Sequence, residues 1–230
     1  MKRTMFVLVL VVGLAGGVFA QTYVSGNVSG VWEASGSPYY VTGELHIPTN
    51  DTLHIEPGVE VIFQGYYKFC VDSNAVLKAI GTETDSIIFT AMDTVLTDFT
   101  GGHRGIKFLH AANACTLSYS RIEYGNALGE HTDPYGYGGG IYCSHSSPTI
   151  TNNTISNNSA SNGGGILCDD SSSPTIANNT ISSNSAYDFG GGIFCMLGSS
   201  PTIMNNIISR NSVRRWGGGI SCYSRLSLIH

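Results

Sequence analysis

Isoleucine, valine and leucine recur along this chain two or five positions apart, and the positions between them hold polar residues and turn formers. Over no long window do they follow the i, i+3, i+4, i+7 spacing of an amphipathic helix. Spacing by two predicts short β-strands with one buried face, and the polar interruptions predict tight turns between them. The chain is therefore expected to be all-β.

The strongest pattern is a repeated unit that begins at residue 138. Each unit opens with a Gly-Gly-Gly-Ile-x-Cys step, and the first three units continue with Ser-Pro-Thr-Ile, two asparagines, a second isoleucine and a closing asparagine. The glycine runs begin at Gly138, Gly163, Gly190 and Gly217, the asparagine pairs are Asn152-Asn153, Asn178-Asn179 and Asn205-Asn206, and the closing asparagines are Asn158, Asn184 and Asn211. A unit of about 25 residues is too short for a propeller blade and is typical of a solenoid.

A unit of this kind predicts one coil of a parallel β-helix. Each strand would pair with its copy in the next coil, about 4.8 Å away. Equivalent residues would then lie above one another, so isoleucines should fill the interior and asparagines should hydrogen-bond along the turns. Asparagine and glycine also tolerate the left-handed backbone that a tight bend requires.

The pattern continues upstream with more variation. Gly105-Ile106-Lys107-Phe108 matches the Gly-Ile-x-Cys step, and an insertion over residues 128–137 separates it from the first clear unit. We expect a signal peptide at 1–20, an N-terminal cap segment at 21–44, and a β-helix of about 22–27-residue coils at 45–230. The last coil stops early without a capping element, which indicates a sequence truncated at its C-terminal end.

Several segments resemble one known group of proteins. Ile55-Glu56-Pro57-Gly58-Val59, Ile122-Glu123-Tyr124-Gly125 and the repeated Ser-Pro-Thr-Ile-x-Asn-Asn steps look like the bacterial secreted right-handed parallel β-helix repeat proteins of the pectin-lyase-like superfamily. The resemblance covers nearly all of the chain after residue 20. It implies a right-handed helix, but that superfamily includes polysaccharide lyases, glycoside hydrolases, adhesins and coils without known chemistry.

The first twenty residues predict export. A positive start, Lys2-Arg3, precedes an apolar run over residues 5–19, and small residues fit cleavage after Ala20. The run is short for a membrane span of about 20 residues, so an uncleaved anchor is the less favoured alternative and no transmembrane span is expected after cleavage. The cleaved chain would hold nine basic and sixteen acidic residues without a basic stripe, which argues against a nucleic-acid partner.

Four of the six cysteines occupy one repeat position, two residues after an inward isoleucine. These are Cys143, Cys168, Cys195 and Cys222. A line along the stack does not supply the tetrahedral ligands of a zinc site, and in-register neighbours would strain a disulfide. They are interpreted as small buried thiols. Cys70 and Cys115 lie outside this position, and the pattern pairs them with nothing. No metal ligand and no cofactor is predicted, and Ca²⁺ binding in the turns is left open.

Aromatic residues flank the glycine runs and are expected to form an exposed ridge. They are Tyr135, Tyr137, Tyr142, Tyr187, Phe189, Phe194 and Trp216. Aromatic faces with polar edges suit sugar rings, so the ridge predicts carbohydrate binding. The alternative is that these rings cover the bare backbone of the glycine runs.

Asp169, Asp170 and Asp188 are candidates for catalysis. Cys168-Asp169-Asp170 resembles part of a paired-aspartate motif of β-helix hydrolases, but the downstream His-Gly and Arg-x-Lys partners of that motif are absent from this sequence. A hydrolase needs two carboxylates about 5–9.5 Å apart, and a lyase needs carboxylates for Ca²⁺ with a basic proton acceptor. The sequence therefore favours solvated turn residues and assigns no catalytic group.

The favoured hypothesis is a non-catalytic, secreted or cell-surface β-helix protein that binds a polysaccharide or a cell-surface glycan through the aromatic ridge. One alternative is a polysaccharide lyase or glycoside hydrolase. Another is a structural stalk or adhesin fragment without a ligand. The oligomeric state is left open.

Overall fold

A computed structural model describes residues 8–11, 20–97, 100–128, 136–223 and 227–228. Within these ranges the chain is built of short strands. Up to residue 127 they are β1 (Leu8–Val11), β2 (Ala20–Asn27), β3 (Gly30–Trp32), a 3₁₀ helix at Ala34–Gly36, β4 (Tyr39–Ile47), β5 (Thr52–Ile55), β6 (Glu60–Phe63), β7 (Phe69–Val71), β8 (Val76–Ile80), β9 (Ile87–Ala91), β10 (Ile106–Leu109), β11 (Thr116–Ser118), β12 (Ser120–Glu123) and β13 (Asn126–Ala127). The later strands are β14 (Ile141–Ser144), β15 (Thr149–Thr151), β16 (Thr154–Ser156), β17 (Ser159–Asn162), β18 (Ile166–Asp169), β19 (Thr175–Ala177), β20 (Thr180–Ser182), β21 (Ser185–Phe189), β22 (Ile193–Cys195), β23 (Thr202–Met204), β24 (Ile207–Ser209), β25 (Ser212–Val213), β26 (Ile220–Cys222) and β27 (Ser227–Leu228).

The strands stack into a parallel β-helix, as the repeat predicts. The largest sheet has two rows, and we call the row of β7, β10, β14, β18, β22 and β26 the cysteine face. The other row contains β6, β9, β12, β16, β20 and β24, and the long strand β4 pairs with β6 at its start and with β7 at its end. A second sheet runs from β3 to β27, and a short third sheet contains β13, β17, β21 and β25. Among the described strands, β1 and β2 are the pair that runs antiparallel.

The interior is filled by stacked side chains from equivalent positions. Ile141 pairs with Ile166, and Ile166 pairs with Ile193, so each isoleucine lies directly over its copy in the neighbouring coil. All three are fully buried, and the cysteines two positions later are buried beside them. Burying one such isoleucine contributes about 1.5–3 kcal/mol, and its in-register contacts repeat in every coil. The predicted isoleucine stack is confirmed.

Two buried asparagine ladders close the turns. In the first, the side-chain amide nitrogen of Asn153 donates to Oδ1 of Asn179 at 3.0 Å, and that of Asn179 donates to Oδ1 of Asn206 at 2.9 Å. The second joins Asn158, Asn184 and Asn211 in the same way. Each side chain satisfies backbone groups that the turn would otherwise leave unpaired inside the protein.

The left-handed residues stand directly before these ladder positions. Asn152, Asn178 and Asn205 have φ between 53° and 57° ahead of the first ladder, as expected for asparagine. Ahead of the second ladder, the same conformation is adopted by Asn157, Ser183 and Arg210. The geometry of the turn therefore persists where the residue type has changed, because the buried amide that follows holds it in place.

The glycine runs are required by close packing between coils. A Cβ atom at Gly165 would lie 2.6 Å from the carbonyl oxygen of Gly192 in the next coil. Backbone hydrogen bonds join the runs, such as Gly164 N–H to the carbonyl of Gly190 at 3.0 Å. Side chains at these positions would force the coils apart, which explains why three glycines recur together.

The N-terminal segment belongs to the stack. Strand β2 pairs in parallel with β4, and β3 pairs in parallel with β5, so the predicted boundary between residues 44 and 45 falls inside β4. Strand β1 lies within the predicted signal peptide, most of which falls outside the described residues. Export stays a prediction from the sequence.

His103 is a buried histidine with both ring nitrogens engaged. Its ring stacks on Phe63 with centroids 4.5 Å apart, Nδ1 accepts the Gly105 N–H at 3.0 Å, and Nε2 donates to the carbonyl of Glu123 at 3.2 Å. Because one partner is an N–H and the other a carbonyl, the contacts fit the neutral ring. Burial lowers the pKa of His103 to about 4.

Replacing Asn179 by alanine should destabilise the stack. The change removes the acceptor for two Asn153 nitrogens and the donor to the Ile150 carbonyl. Each buried group left unpaired costs about 1–3 kcal/mol, so the thermal midpoint, followed by circular dichroism, should fall by several degrees. The matched control is Asn27→Ala at an exposed strand position. Equal shifts in the two variants would contradict a special role for the ladder.

The neutral His103 predicts a loss of stability in mild acid. Its folded pKa of about 4 lies below its unfolded value of about 6.5, so its contribution is fully present above pH 6.5 and is lost as pH falls. Between pH 7 and pH 5 the free energy of unfolding should drop by about 2 kcal/mol. His103→Gln should show a smaller drop over that range, whereas the exposed control His54→Gln should match the wild type. A pH dependence unchanged in His103→Gln would refute the assignment.

Candidate functional site

On the strands of the cysteine face, the residues whose side chains point away from the core form one column. In register, this column contains His46, Cys70, Lys107, Tyr142, Leu167, Phe194 and Ser221. Its first members come from divergent coils and its later members come from the clear repeat. Three different environments lie along the column, and they bear differently on function.

The expectation that Tyr142 and Phe194 are exposed is wrong. Both are buried with Leu167 in a second apolar cluster outside the main core, against which Leu109, Tyr137, Phe189 and Met196 pack. A Cβ atom at Gly138 would lie 2.8 Å from Cβ of Tyr142, so the tyrosine covers the bare glycine backbone of its own coil. The residues just before the glycine runs then close over these rings. For Tyr142 and Phe194 the alternative interpretation therefore holds: their rings cover the bare backbone of the glycine runs.

An exposed group of aromatic residues lies beside this cluster. We define the aromatic patch as Tyr187, Phe189, Trp216 and Tyr223. Trp216 is 67% exposed, Tyr223 65% and Tyr187 39%, whereas Phe189 is half-buried. Phe189 forms a bridge with Trp216 in the next coil, and its ring meets that of Tyr223 edge-on at 4.9 Å. Tyr223 was not among the predicted residues, although its place directly after the repeated cysteine marks an outward position.

Charged groups border the aromatic patch. The guanidinium of Arg214 lies over the Tyr187 ring, 4.5 Å from its centroid, and Arg215 Nε is 3.0 Å from Asp188 Oδ1. Of the other predicted ridge residues, Tyr137 is half-buried and Tyr135 lies outside the described residues. The patch therefore combines exposed rings with two arginines and one carboxylate.

The three candidate catalytic carboxylates are bound within the fold. Asp169 is fully buried, where its Oδ2 accepts the hydroxyl of Tyr142 at 3.0 Å and its Oδ1 accepts the Asp170 N–H at 2.9 Å. Asp170 accepts the hydroxyl of Ser144 at 3.0 Å, and Asp188 pairs with Arg215. For Asp169, the expectation of a solvated turn residue is wrong. These contacts tie the carboxylates to strands and turns.

The cysteine ladder is internal, as predicted. Cys143, Cys168 and Cys195 are buried free thiols in register, and Cys222 continues the line. Burial raises the pKa of Cys143 well above its usual range. Cys115 lies apart from them, directly before β11, where its sulfur accepts the Leu77 N–H and donates to the Ala75 carbonyl. These thiols are core components.

A potential metal-binding group occupies the first coils of the same face. A ring nitrogen of His46, Cys70 Sγ and a carboxylate oxygen of Asp72 all lie within 4.8 Å of one another. This group was not predicted, because the repeat is weak in the first coils and the register that places His46 beside Cys70 is not evident from the sequence. The signal was the spacing Cys70-x-Asp72, which puts both side chains on the same side of an extended segment.

Comparison with known families agrees with this geometry. The family model for the right handed beta helix region matches residues 97–228, more than half of the chain. The chain belongs to the right-handed β-helix family. Its match includes all four glycine-run coils and the aromatic patch. No curated protein and no solved structure matches this β-helix chain. Within the described ranges, no helix has the length and apolar character needed to cross a membrane.

Proposed function

We propose that this right-handed β-helix protein is secreted or displayed at the cell surface, is not an enzyme, and binds polysaccharide through the aromatic patch. The observation that carries the proposal is the exposure of Trp216 and Tyr187 next to charged groups on the side of the solenoid. An exposed indole offers a flat apolar face that suits the C–H face of a sugar ring. Exposed aromatic surface of this kind usually marks a contact site.

The charges around the aromatic patch favour an acidic polysaccharide. Arg214 and Arg215 both extend to the surface there, and Asp188 neutralises one of them in part. A guanidinium binds a carboxylate through paired hydrogen bonds, so a uronic acid beside a stacked sugar ring would meet a cation. The chain as a whole carries a formal net charge of −5, so these arginines give the patch a local charge opposite to that of the rest.

Catalysis has less support than binding. Asp169 is fully buried and accepts the hydroxyl of Tyr142, and Asp188 pairs with Arg215, so both carboxylates are already engaged within the fold. A lyase or hydrolase in the same superfamily is the alternative function, and a stalk without a ligand is another. The binding experiment below includes outcomes that would favour each of them.

Export is supported by the basic start, the apolar run and the small residues before Gln21. Expressed with its own N-terminal segment in a Gram-negative bacterial host, the protein should be recovered outside the cytoplasm with Gln21 as its first residue. N-terminal sequencing or intact mass measures this. A mature chain that retains Met1, or that stays in the inner membrane, would contradict a cleaved signal peptide.

Trp216→Ala should weaken binding to polygalacturonate at least about tenfold, because a tryptophan at the centre of an interface contributes about 1.4 kcal/mol or more. Trp216→Phe should retain most of the affinity, since a flat ring remains. Arg214→Gln should weaken polygalacturonate binding without changing binding to a neutral glucan. Tyr40→Ala, a half-buried aromatic in the first coils, is the matched control and should bind as the wild type does.

The same titrations separate the alternatives. If the protein binds neither polygalacturonate nor the neutral glucan, and binds no member of a wider polysaccharide panel, the proposal is overturned and the structural stalk is favoured. Depolymerisation of polygalacturonate, abolished in Asp188→Ala, would instead favour the enzyme. The circular dichroism spectrum of every variant should match that of the wild type, which excludes unfolding as the cause of a loss of binding or activity.

A further inference from the structure

The outer surface of the first coils contains three side chains with different donor atoms. They are the imidazole of His46 in β4, the thiol of Cys70 in β7, and the carboxylate of Asp72 directly after β7. This group lies far along the stack from the aromatic patch and takes no part in the proposed polysaccharide binding. Its geometry points to a separate chemistry.

The backbone register brings the three groups together. His46 is the in-register neighbour of Cys70 across the parallel strands β4 and β7. Asp72 follows two residues after Cys70 and so projects to the same side, and its N–H is held by the carbonyl of Ile47 at 3.1 Å. His46 Nδ1 is 3.3 Å from both carboxylate oxygens of Asp72. Two of the three groups therefore lie on adjacent strands, and the third directly follows one of those strands.

We propose that His46, Cys70 and Asp72 bind a zinc-class divalent cation. The three ligand atoms lie within 4.8 Å of one another, and in a tetrahedral zinc site neighbouring ligands are about 3.3–3.8 Å apart. Small rotations of these side chains bring them to that spacing. A sulfur, a nitrogen and an oxygen together suit Zn²⁺, whereas Ca²⁺ and Mg²⁺ prefer oxygen ligands alone.

The environment of the cluster leaves room for a fourth ligand. Cys70 is only 1% exposed, but the side chains of His46 and Asp72 are 35% and 33% exposed. The ion would thus be held against the strands by the thiolate and open to water on its outer side. Three protein ligands with one open position is the arrangement that zinc adopts when it also binds a solvent molecule or an exchangeable ligand.

The neighbouring charges are occupied elsewhere. Lys107, the next residue in the column, directs its ammonium to the carbonyl oxygens of Tyr137 and Gly138. Glu44 accepts the Lys68 N–H at 3.0 Å and lies 3.7 Å from Arg104. Lys107 therefore does not compete for the thiol, and Glu44 is already bound.

Metal binding also accounts for a polar thiol at this position. Burial raises the pKa of Cys70 to about 11, and no disulfide engages it. Coordination deprotonates a thiol, so the sulfur–metal bond would form as one proton leaves to solvent. The binding reaction thus has a stoichiometry of one ion bound and one thiol proton released.

The test is a titration of reduced, chelator-treated protein that carries no polyhistidine tag. Co²⁺ added to the wild type should produce a thiolate-to-cobalt charge-transfer band in the near ultraviolet that saturates at one ion per chain. Zn²⁺ should abolish the band by displacement. Cys70→Ser should not produce the band, and His46→Ala and Asp72→Asn should each weaken binding at least about tenfold, since even residues outside the ligand set can cost 10–100-fold.

Matched controls exist for each ligand. Cys222→Ser removes a half-buried thiol outside the cluster, His54→Ala an exposed imidazole and Asp51→Asn an exposed carboxylate, and all three variants should bind Co²⁺ as the wild type does. Zn²⁺ should raise the thermal midpoint of the wild type and of these controls but not that of Cys70→Ser. Circular dichroism confirms that each variant is folded.

Two results would overturn the metal site. One is the absence of a cobalt band in folded, reduced wild-type protein, which would leave His46 and Asp72 as an ordinary surface ion pair. The other is a band of equal strength in Cys70→Ser, which would place the metal elsewhere. Neither result depends on polysaccharide, so the metal site and the proposed binding function can fail independently.

Discussion

Parallel pairing of each coil with its own copy is the constraint on which the rest of this structure depends. Because Ile141, Ile166 and Ile193 are in register, any residue that suits one coil must also suit the surface offered by the next. This requirement selects isoleucine inside, asparagine at the buried turns and glycine where backbones meet. A solenoid has no other long-range contacts that could compensate for a poor match between neighbours.

The same constraint explains how much the sequence alone could predict. Positions that must match their copies appear as a repeat, so the coil length, the isoleucine stack and the asparagine ladders were all predicted and are confirmed. Outward positions are free of that requirement, and their burial depends on whatever covers them. Tyr142 and Phe194 were expected to be exposed because the repeat pattern does not indicate that neighbouring aromatic residues cover them.

The candidate metal cluster was missed for a related reason. His46 and Cys70 belong to coils whose residues have diverged, so their register could not be counted from matching letters and emerged only with the pairing of β4 and β7. In such coils the outer surface can acquire individual chemistry while the interior keeps its apolar ladder. The described surface accordingly divides into a part with mixed donor atoms in the first coils and an aromatic part in the later ones.

The asparagine ladders also give the solenoid a direction. Oδ1 of Asn179 accepts from both nitrogens of Asn153 in the coil before it, and its amide nitrogen donates back to the Ile150 carbonyl of that coil. Toward the following coil, the Asn179 side chain makes one bond, to Asn206. Each ladder thus runs in one direction, because the amide nitrogen of each rung donates to Oδ1 of the rung in the following coil. Damage to one rung is borne mainly by the coil that precedes it. The two ends of a ladder also differ chemically: Oδ1 of Asn153 accepts the Ser120 N–H at 2.8 Å at one end, and the amide nitrogen of Asn206 donates to the carbonyls of Ile176 and Met204 at the other.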